Sequence, residues 1–436
     1  MRKPIVAIVG RPNVGKSTFF NKMAGSRISI VEDTPGVTRD RIYADVSWLN
    51  YEFIMIDTGG IEANKENIIL KQMRDQAMIA IETADVIVFM VDGKTGLTNE
   101  DHEIALMLRK SNRPVIVAVN KLDDSELPSD FYEFYNLGMG EIFAISSVNQ
   151  FRFGDLLDKI VSCFPEGLIE DYDETITKIA ILGKPNVGKS SLVNALLGKE
   201  RVIVSDVPGT TRDAIDTPFE IDNEKYVLID TAGIRKRSKI KEDIEKYSVI
   251  RAFTAVDRAD VCLIVIDSTE GVTEQDKKIA GYAHDCGKGI IVLGNKWDLV
   301  IDKEFKYNDI FAGIRNEFAF MTYAPIMFIS ALTKQRVHKI IELVRHVQTQ
   351  RSVRIPTGAL NDVLNDAIYK HQPPSHKGKR LKIYYGTQVD VQPPTFALFV
   401  NDPELCHFSY KRYLSNKLRE HFAFEGTRLR IKIRQR

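Results

Sequence analysis

Short, wholly apolar runs separated by polar loops and amphipathic stretches set the rhythm of this chain. Ile5–Val9, Val86–Val91 and Val115–Val119 are each five or six apolar residues long, and Glu100–Lys110 repeats its apolar positions at helical spacing. Continuous apolar strands alternating with amphipathic helices predict an α/β unit whose mainly parallel sheet is covered on both faces. Past residue 350 the rhythm changes. Thr357–Lys370 and Ser409–Phe422 read as helices, and Leu381–Tyr385, Thr395–Val400 and Arg428–Ile433 as strands. That αββαβ order predicts a small α+β domain with its helices on one face of a three-stranded sheet. No run approaches the ~18 apolar residues that span a bilayer, and Ile5–Val9 is too short for a signal peptide. The expectation is a cytoplasmic protein with no membrane partner.

The polar breaks carry the chemistry. After Ile5–Val9 come Gly10, Arg11, Pro12, Asn13, Val14, Gly15, Lys16 and Ser17, then Thr18. The pattern returns 173 residues on as Gly183, Lys184, Pro185, Asn186, Val187, Gly188, Lys189 and Ser190, then Ser191. Both match G-x-x-x-x-G-K-[ST]. The glycines let successive backbone N–H groups turn onto a β-phosphate, the Lys reaches the β and γ oxygens, and the Ser hydroxyl ligates Mg²⁺. The offset of 173 holds for Thr38 and Thr211 and for Asp57 and Asp230, then becomes 175 at Asn120 and Asn295 and 184 at Ser146 and Ser330. Such a repeat predicts two tandem P-loop NTPase domains, with the insertions late in the second copy.

Base choice is read further along. Asn120, Lys121, Leu122 and Asp123, and likewise Asn295, Lys296, Trp297 and Asp298, each follow an apolar strand. In N-K-x-D the Asp carboxylate can accept two N–H groups from guanine, where adenine offers no matching donor pair; Asn steadies the loop and Lys covers the base. A buried acceptor pair rejects the wrong base strongly, so GTP and GDP are the expected ligands. Ser330 and Ala331 supply the companion turn in the second copy, and Ser146 with Ser147 stands there in the first. Asp57, Thr58, Gly59 and Gly60, and Asp230, Thr231, Ala232 and Gly233, end strands; the Asp is expected on Mg²⁺, through water, and the last Gly near the γ-phosphate. Thr38 and Thr211 lie between phosphate loop and Asp, where a switch closes on Mg²⁺ and γ-phosphate. The expected catalytic set is Lys16, Thr38, Gly60, Lys189, Thr211 and Gly233. Mg²⁺ is assigned to Ser17, Thr38, Asp57, Ser190, Thr211 and Asp230.

Composition changes the picture only through where charge sits. The chain of 436 residues is 44% hydrophobic and 27% charged, with a formal net charge of +1. Residues 351–436 hold 16 Lys and Arg against 7 Asp and Glu, leaving 44 against 52 in residues 1–350. A basic end argues for a polyanionic partner, most simply nucleic acid. Cys163, Cys262, Cys286 and Cys406 lack C-x-x-C spacing, so neither zinc nor a disulfide framework is indicated; the histidines form no ligand pattern. The boundaries read as 1–164, a first GTPase domain; 165–175, an acidic linker; 176–350, a second GTPase domain; and 351–436, a basic domain.

With these motifs in view, the chain resembles translation-factor-related GTPases of the Era type, and specifically the double-Era family known as Der or EngA, over essentially its whole length. The resemblance implies two Ras-like G domains and a KH-like C-terminal domain. It also implies a bacterial GTPase that binds the ribosome and rRNA and assists late assembly of the large (50S) subunit. The residue after each Asp-x-x-Gly is Ile61 and Ile234, and neither can orient a water. The resemblance implies K⁺ there in place of an arginine finger, held partly by Asn13 and Asn186; the alternative is that these amides only brace the loop.

Other features stay open. Arg235–Lys241 follows the second Asp-x-x-Gly and holds five basic residues; it reads either as a solvated loop or as a nucleotide-controlled contact with phosphate or an acidic domain. In the basic domain Lys377, Lys379, Arg380 and Lys382 precede a strand, and Arg428, Arg430, Lys432, Arg434 and Arg436 share one face of the last one. Beside Tyr384 and Tyr385 such a face suits RNA backbone and stacking. The domain has no G-x-x-G loop, so shape and charge recognition, or packing against the acidic GTPase domains, compete with KH-style reading. Rival functions are a nucleotide-gated RNA scaffold with one non-hydrolysing site, or a GTPase acting on small-subunit or tRNA maturation. A monomer is expected, since the duplication already supplies an internal pair.

Overall fold

The computed structural model describes residues 4–25, 43–60, 74–124 except 75, 79 and 82, 127–165, 176–198, 203–204, 216–230, 245–373, 375–376 and 379–436. Thr38, Thr211, Ile61, Thr231, Ala232, Gly233, Ile234, the Arg235–Lys241 run, Lys377 and nearly all of the acidic linker lie outside them. The chain divides into two compact units, one running to Asp171 and the other starting at Tyr172.

In the first unit, six strands form one sheet: β1 (Ile5–Val9), β2 (Tyr43–Trp48), β3 (Tyr51–Asp57), β4 (Val86–Asp92), β5 (Val115–Asn120) and β6 (Ile142–Ala144), in the order β2-β3-β1-β4-β5-β6. All neighbours are parallel except the β2–β3 hairpin. Every residue of β1 and β4 is buried, as strands covered on both faces must be. The mixed edge departs from the simplest parallel reading because two residues, Leu49 and Asn50, separate β2 from β3, and a connection that short can only reverse the chain.

The second unit repeats this plan with β7 (Thr177–Leu182), β8 (Ile203–Val204), β9 (Thr217–Ile221), β10 (Glu224–Ile229), β11 (Val261–Asp267), β12 (Gly289–Asn295) and β13 (Ile326–Phe328), ordered β13-β12-β11-β7-β10-β9-β8. Asp222 and Asn223, at φ 53° and 63°, turn the β9–β10 hairpin, the residue types that tolerate that geometry best after Gly. Core side chains sit on both sheet faces: Ile264, Ile279 and Phe318 on one, Leu263, Leu192 and Val344 on the other.

The last module has the predicted order. Helix Thr357–Lys370 leads into a hairpin of short strands, β14 (Ser375–His376) and β15 (Lys379–Arg380). After it come β16 (Ile383–Asp390), β17 (Thr395–Val400), helix Phe408–Phe422 and β18 (Arg430–Gln435). β16 pairs antiparallel and β18 parallel to the central β17. Leu360, Leu364, Phe396, Leu398, Leu414 and Leu418 fill the space between helices and sheet.

This module is hydrogen-bonded to the preceding one. Ile290 N–H donates to the Gly426 carbonyl at 2.7 Å, and Gly426 N–H to the Tyr323 carbonyl at 2.8 Å. Arg428 donates to Asp285 Oδ1 at 3.0 Å and to the His284 carbonyl at 3.2 Å, and Arg430 to the Asp285 carbonyl at 2.9 Å. These acceptors end the helix Glu274–Asp285, where the helix dipole favours cations. The Arg419 guanidinium lies 4.5 Å from the Tyr323 ring centre. The basic stripe expected to face one polyanion is thus divided: Arg428 and Arg430 dock the module, while Lys432, Arg434 and Arg436 remain exposed. Arg436 and Lys382 flank the Tyr384 ring at 4.8 and 5.4 Å.

Candidate guanine-nucleotide sites

Each phosphate loop runs from a buried central strand into a helix: β1 into Lys16–Gly25, and β7 into Lys189–Leu197. Gly15 and Gly188 stand at φ 100° and 96°, and a Cβ on either would lie 2.2 or 2.3 Å from the side-chain amide of Asn120 or Asn295. Only glycine meets both demands. That close approach has a purpose. Asn120 Nδ2 donates to the Val14 carbonyl at 2.7 Å while its Oδ1 accepts from Ser147 N–H at 2.8 Å. Asn295 does the same between the Val187 carbonyl (2.7 Å) and Ala331 N–H (2.9 Å). One buried amide therefore clasps the phosphate loop to the turn after β6 or β13. Because the turn contributes a backbone N–H, Ser147 and Ala331 serve equally.

Lys16 is buried at the loop centre, its Nζ donating to the carbonyls of Gly10 (2.6 Å) and Arg11 (2.8 Å). Lys189 binds those of Gly183 (2.7 Å) and Lys184 (2.6 Å). Burial pulls the Lys16 ammonium down to about 8, against the opposing pull of Asp57. Ser17 Oγ donates to Asp57 Oδ2 at 2.6 Å, so a hydroxyl and a carboxylate, the hard oxygens that suit Mg²⁺, sit side by side. Asp57 Oδ1 accepts from Gly59 N–H at 2.9 Å, and Thr58 Oγ1 donates to the Ile8 carbonyl at 2.6 Å. In the second copy Asp230 follows β10 at φ 56° and its N–H donates to Asp216 Oδ1 at 3.0 Å. Asn13 and Asn186 are exposed, at φ 65° and 64°. Among the described residues no group of three or more His, Cys, Asp or Glu forms a metal cluster. Burial pushes the Cys262 and Cys286 thiols up to about 12, which disfavours the thiolate of both.

At the base-reading end, Lys121 and Lys296 adopt φ 70° and 61°. Their Nζ atoms pair with Asp92 Oδ2 and Asp267 Oδ2, each at 2.6 Å. Burial alone pushes both carboxyls up, but the lysines and neighbouring N–H groups hold them below the usual range. Asp123 accepts from Ser146 Oγ and from Lys94 Nζ, each at 2.7 Å; Lys94, then Ser146, keeps its carboxyl low. Asp298 lies half-buried beyond the buried Trp297.

Two carboxylate pairs, and the threonine pair that caps beside one of them, escaped the sequence reading or entered it without a role. Asp92 and Asp267 fix the base-loop lysines. Asp101 and Asp276 are fully buried in capping boxes with Thr98 and Thr273. Arg11 Nε lies 3.3 Å from Asp101 Oδ2, and Lys184 N–H donates to Asp276 Oδ1 at 3.4 Å. All three residue pairs, 92/267, 98/273 and 101/276, share the 175-residue offset of the N-K-x-D loops, and that spacing was the signal available to find them.

Comparison with known proteins agrees with this geometry. A family described as 50S ribosome-binding GTPase matches residues 5–121 and 178–296, and one described as KH-domain-like of EngA bacterial GTPase enzymes, C-terminal, matches 354–434. "GTPase Der" of Alkaliphilus metalliredigens is 62% identical over 436 residues, covering 100% of this chain and 99% of that protein. "GTPase Der" of Acetivibrio thermocellus is 62% identical over 437 residues, with the same coverage. A solved Era structure, described as a complex with MgGDPNP and nucleotides 1506-1542 of 16S ribosomal RNA, aligns at 21% identity and TM-score 0.30, covering 60% of this chain and 94% of its own; so slight a likeness carries no argument. With two P-loop GTPase modules, a KH-like module after them and relatives this close over the full length, the chain belongs to the Der, or EngA, family of GTPases and hydrolyses GTP.

Proposed function

We propose that this GTPase is a nucleotide-driven switch in the assembly of the large ribosomal subunit, acting through rRNA and built from modules at 1–164, 176–350 and 351–436. Lys16 and Lys189 stabilise charge developing on the transferred phosphoryl group. Ser17 with Asp57, and Ser190 with Asp230, hold Mg²⁺, which when bound offsets negative charge on the phosphates. Thr38 and Thr211 belong to segments that close on GTP, with Gly60 and Gly233 approaching the γ-phosphate. Asp123 and Asp298 select guanine on loops braced by Asn120 and Asn295. The observation that carries the reading is the repeated clasp between phosphate loop and base loop, intact in both copies. It supports two competent sites over a scaffold with one degenerate site.

The test is sedimentation with isolated large and small ribosomal subunits under GDP and under a nonhydrolysable GTP analogue, at two salt concentrations. Selective association with the large subunit under the GTP analogue is expected, weakening with salt as phosphate contacts do. Binding to neither subunit in either nucleotide state defeats the proposal and leaves GTP hydrolysis alone. Ile61 and Ile234 cannot orient a water, and the loop amides Asn13 and Asn186 are exposed beside the phosphate loops. We therefore expect faster turnover in KCl than in matched NaCl; equal rates remove the K⁺ assignment.

A further inference from the structure

The two base-reading carboxylates differ in what holds them. Asp123 has one oxygen on Ser146 Oγ and the other on the Lys94 ammonium, each at 2.7 Å. Asp298 forms no ion pair among the described residues. The difference in ion pairing has its cause at a single position. β4 and β11 end in matching carboxylates, Asp92 and Asp267, and the residue two further on folds its backbone N–H onto Oδ1 in both copies: Lys94 at 2.9 Å and Thr269 at 2.9 Å. The main chain is the same, but the side chains part. Thr269 Oγ1 turns inward to Asp267 Oδ1 at 2.6 Å, whereas Lys94 reaches outward across the base loop to Asp123.

Guanine recognition asks one carboxylate to accept two N–H groups, and so needs both oxygens. In the first site one of them is already engaged by a cation. We propose that Lys94 sets guanine-nucleotide affinity at the first site by competing with the base for Asp123, and that this one residue makes the two sites unequal. The inference rests on Asp123 being the guanine acceptor. Lys94 is also drawn towards Asp124 and Asp92, which gives the ammonium somewhere to retreat when the base arrives, and it is mostly exposed, so its release is inexpensive. The effect is therefore a tuning of affinity, not a block.

The experiment measures binding of fluorescent GDP to the full-length chain carrying Asp298→Ala, so that guanine is read at the first site only. Lys94→Thr copies the second site's own residue onto the same turn, and should tighten GDP about threefold, the scale of an exposed ion pair. The gain should shrink towards none in 1 M salt, where the ion pair is screened, and Lys94→Arg should behave as wild type. In the converse background, Asp123→Ala, Thr269→Lys should weaken the second site by a similar factor. If Lys94→Thr leaves affinity unchanged or lowers it, the competition does not exist and the proposal falls. If Asp123→Ala alone leaves first-site GDP binding intact, it is the base-reading assignment that fails, and the two failures are told apart.

Discussion

Lys16 shows how one residue links burial to function. Its stem is packed inside the phosphate loop, and its ammonium is held only by the carbonyls of Gly10 and Arg11 and the charge of Asp57. Burial lowers its folded value to about 8, below that of the unfolded chain. The unfolded chain therefore holds the extra proton between about pH 8 and 10.5, and this group's contribution to stability rises with pH through that window. Nucleotide binding has the opposite sign, because a phosphate is attracted to the ammonium and not to the amine. GDP affinity at the first site, measured by titration from pH 7 to 9, is expected to stay level to about pH 8 and then fall by up to tenfold per unit. A flat profile would mean the lysine stays charged throughout. Lys16 and Lys189 were legible from motif alone. The role of Asn120 and Asn295 as a clasp was not, since its partners Val14 and Ser147 lie 106 and 27 residues away from Asn120.

At the scale of elements, the helices Asn99–Arg109 and Glu274–Asp285 are started by the same device. Thr98 and Thr273 accept the N–H of Asp101 and Asp276, and each Asp returns a bond to the Thr backbone. The carboxylate that caps the helix also meets the second residue of the phosphate loop, Arg11 or Lys184. Thr273→Ala should cost about 1 kcal/mol, the usual worth of an N-cap, read as a lower urea midpoint, with Thr273→Ser restoring it. A loss well below that would show that the helix start is held by tertiary contacts instead. Apolar runs announced β1, β4 and β5 almost to the residue, because a strand buried on both faces leaves no room for polar side chains. In the hairpin strands, β9 sets half-buried positions around the buried Thr217 and Phe219, and β2 exposes Ser47 beside the buried Val46; with Asp45, Ser47 and Glu220 in their sequences, a pattern of continuous apolar runs passes over them.

Over the whole molecule, charge is divided by packing in a way that counting does not reveal. Arg428 and Arg430 grip the C-terminal end of the Glu274–Asp285 helix, whereas Lys432 and Arg434 stay exposed on β18. Replacing Arg428 and Arg430 with Ala is expected to lower stability by about 1–3 kcal/mol, as the loss of partly buried charged hydrogen bonds does. Replacing Lys432 and Arg434 should leave the urea midpoint alone and, under the proposed function, reduce the salt slope of binding to rRNA by about 0.7–0.9 per lost phosphate contact. Exchanged outcomes would mean that docking and RNA contact are assigned to the wrong pairs. Local order along the chain determined the duplication, the nucleotide class and the αββαβ tail, because motif spacing and apolar periodicity are properties of sequence neighbours. The tertiary structure decided what depends on residues far apart: the clasp of Asn120 and Asn295, the pairing of Asp92 and Asp267 with the base-loop lysines, and which arginines of the basic domain face inward. Each of these is a hydrogen bond or ion pair across strands or modules, and its existence is set by where the folded backbone brings two side chains together.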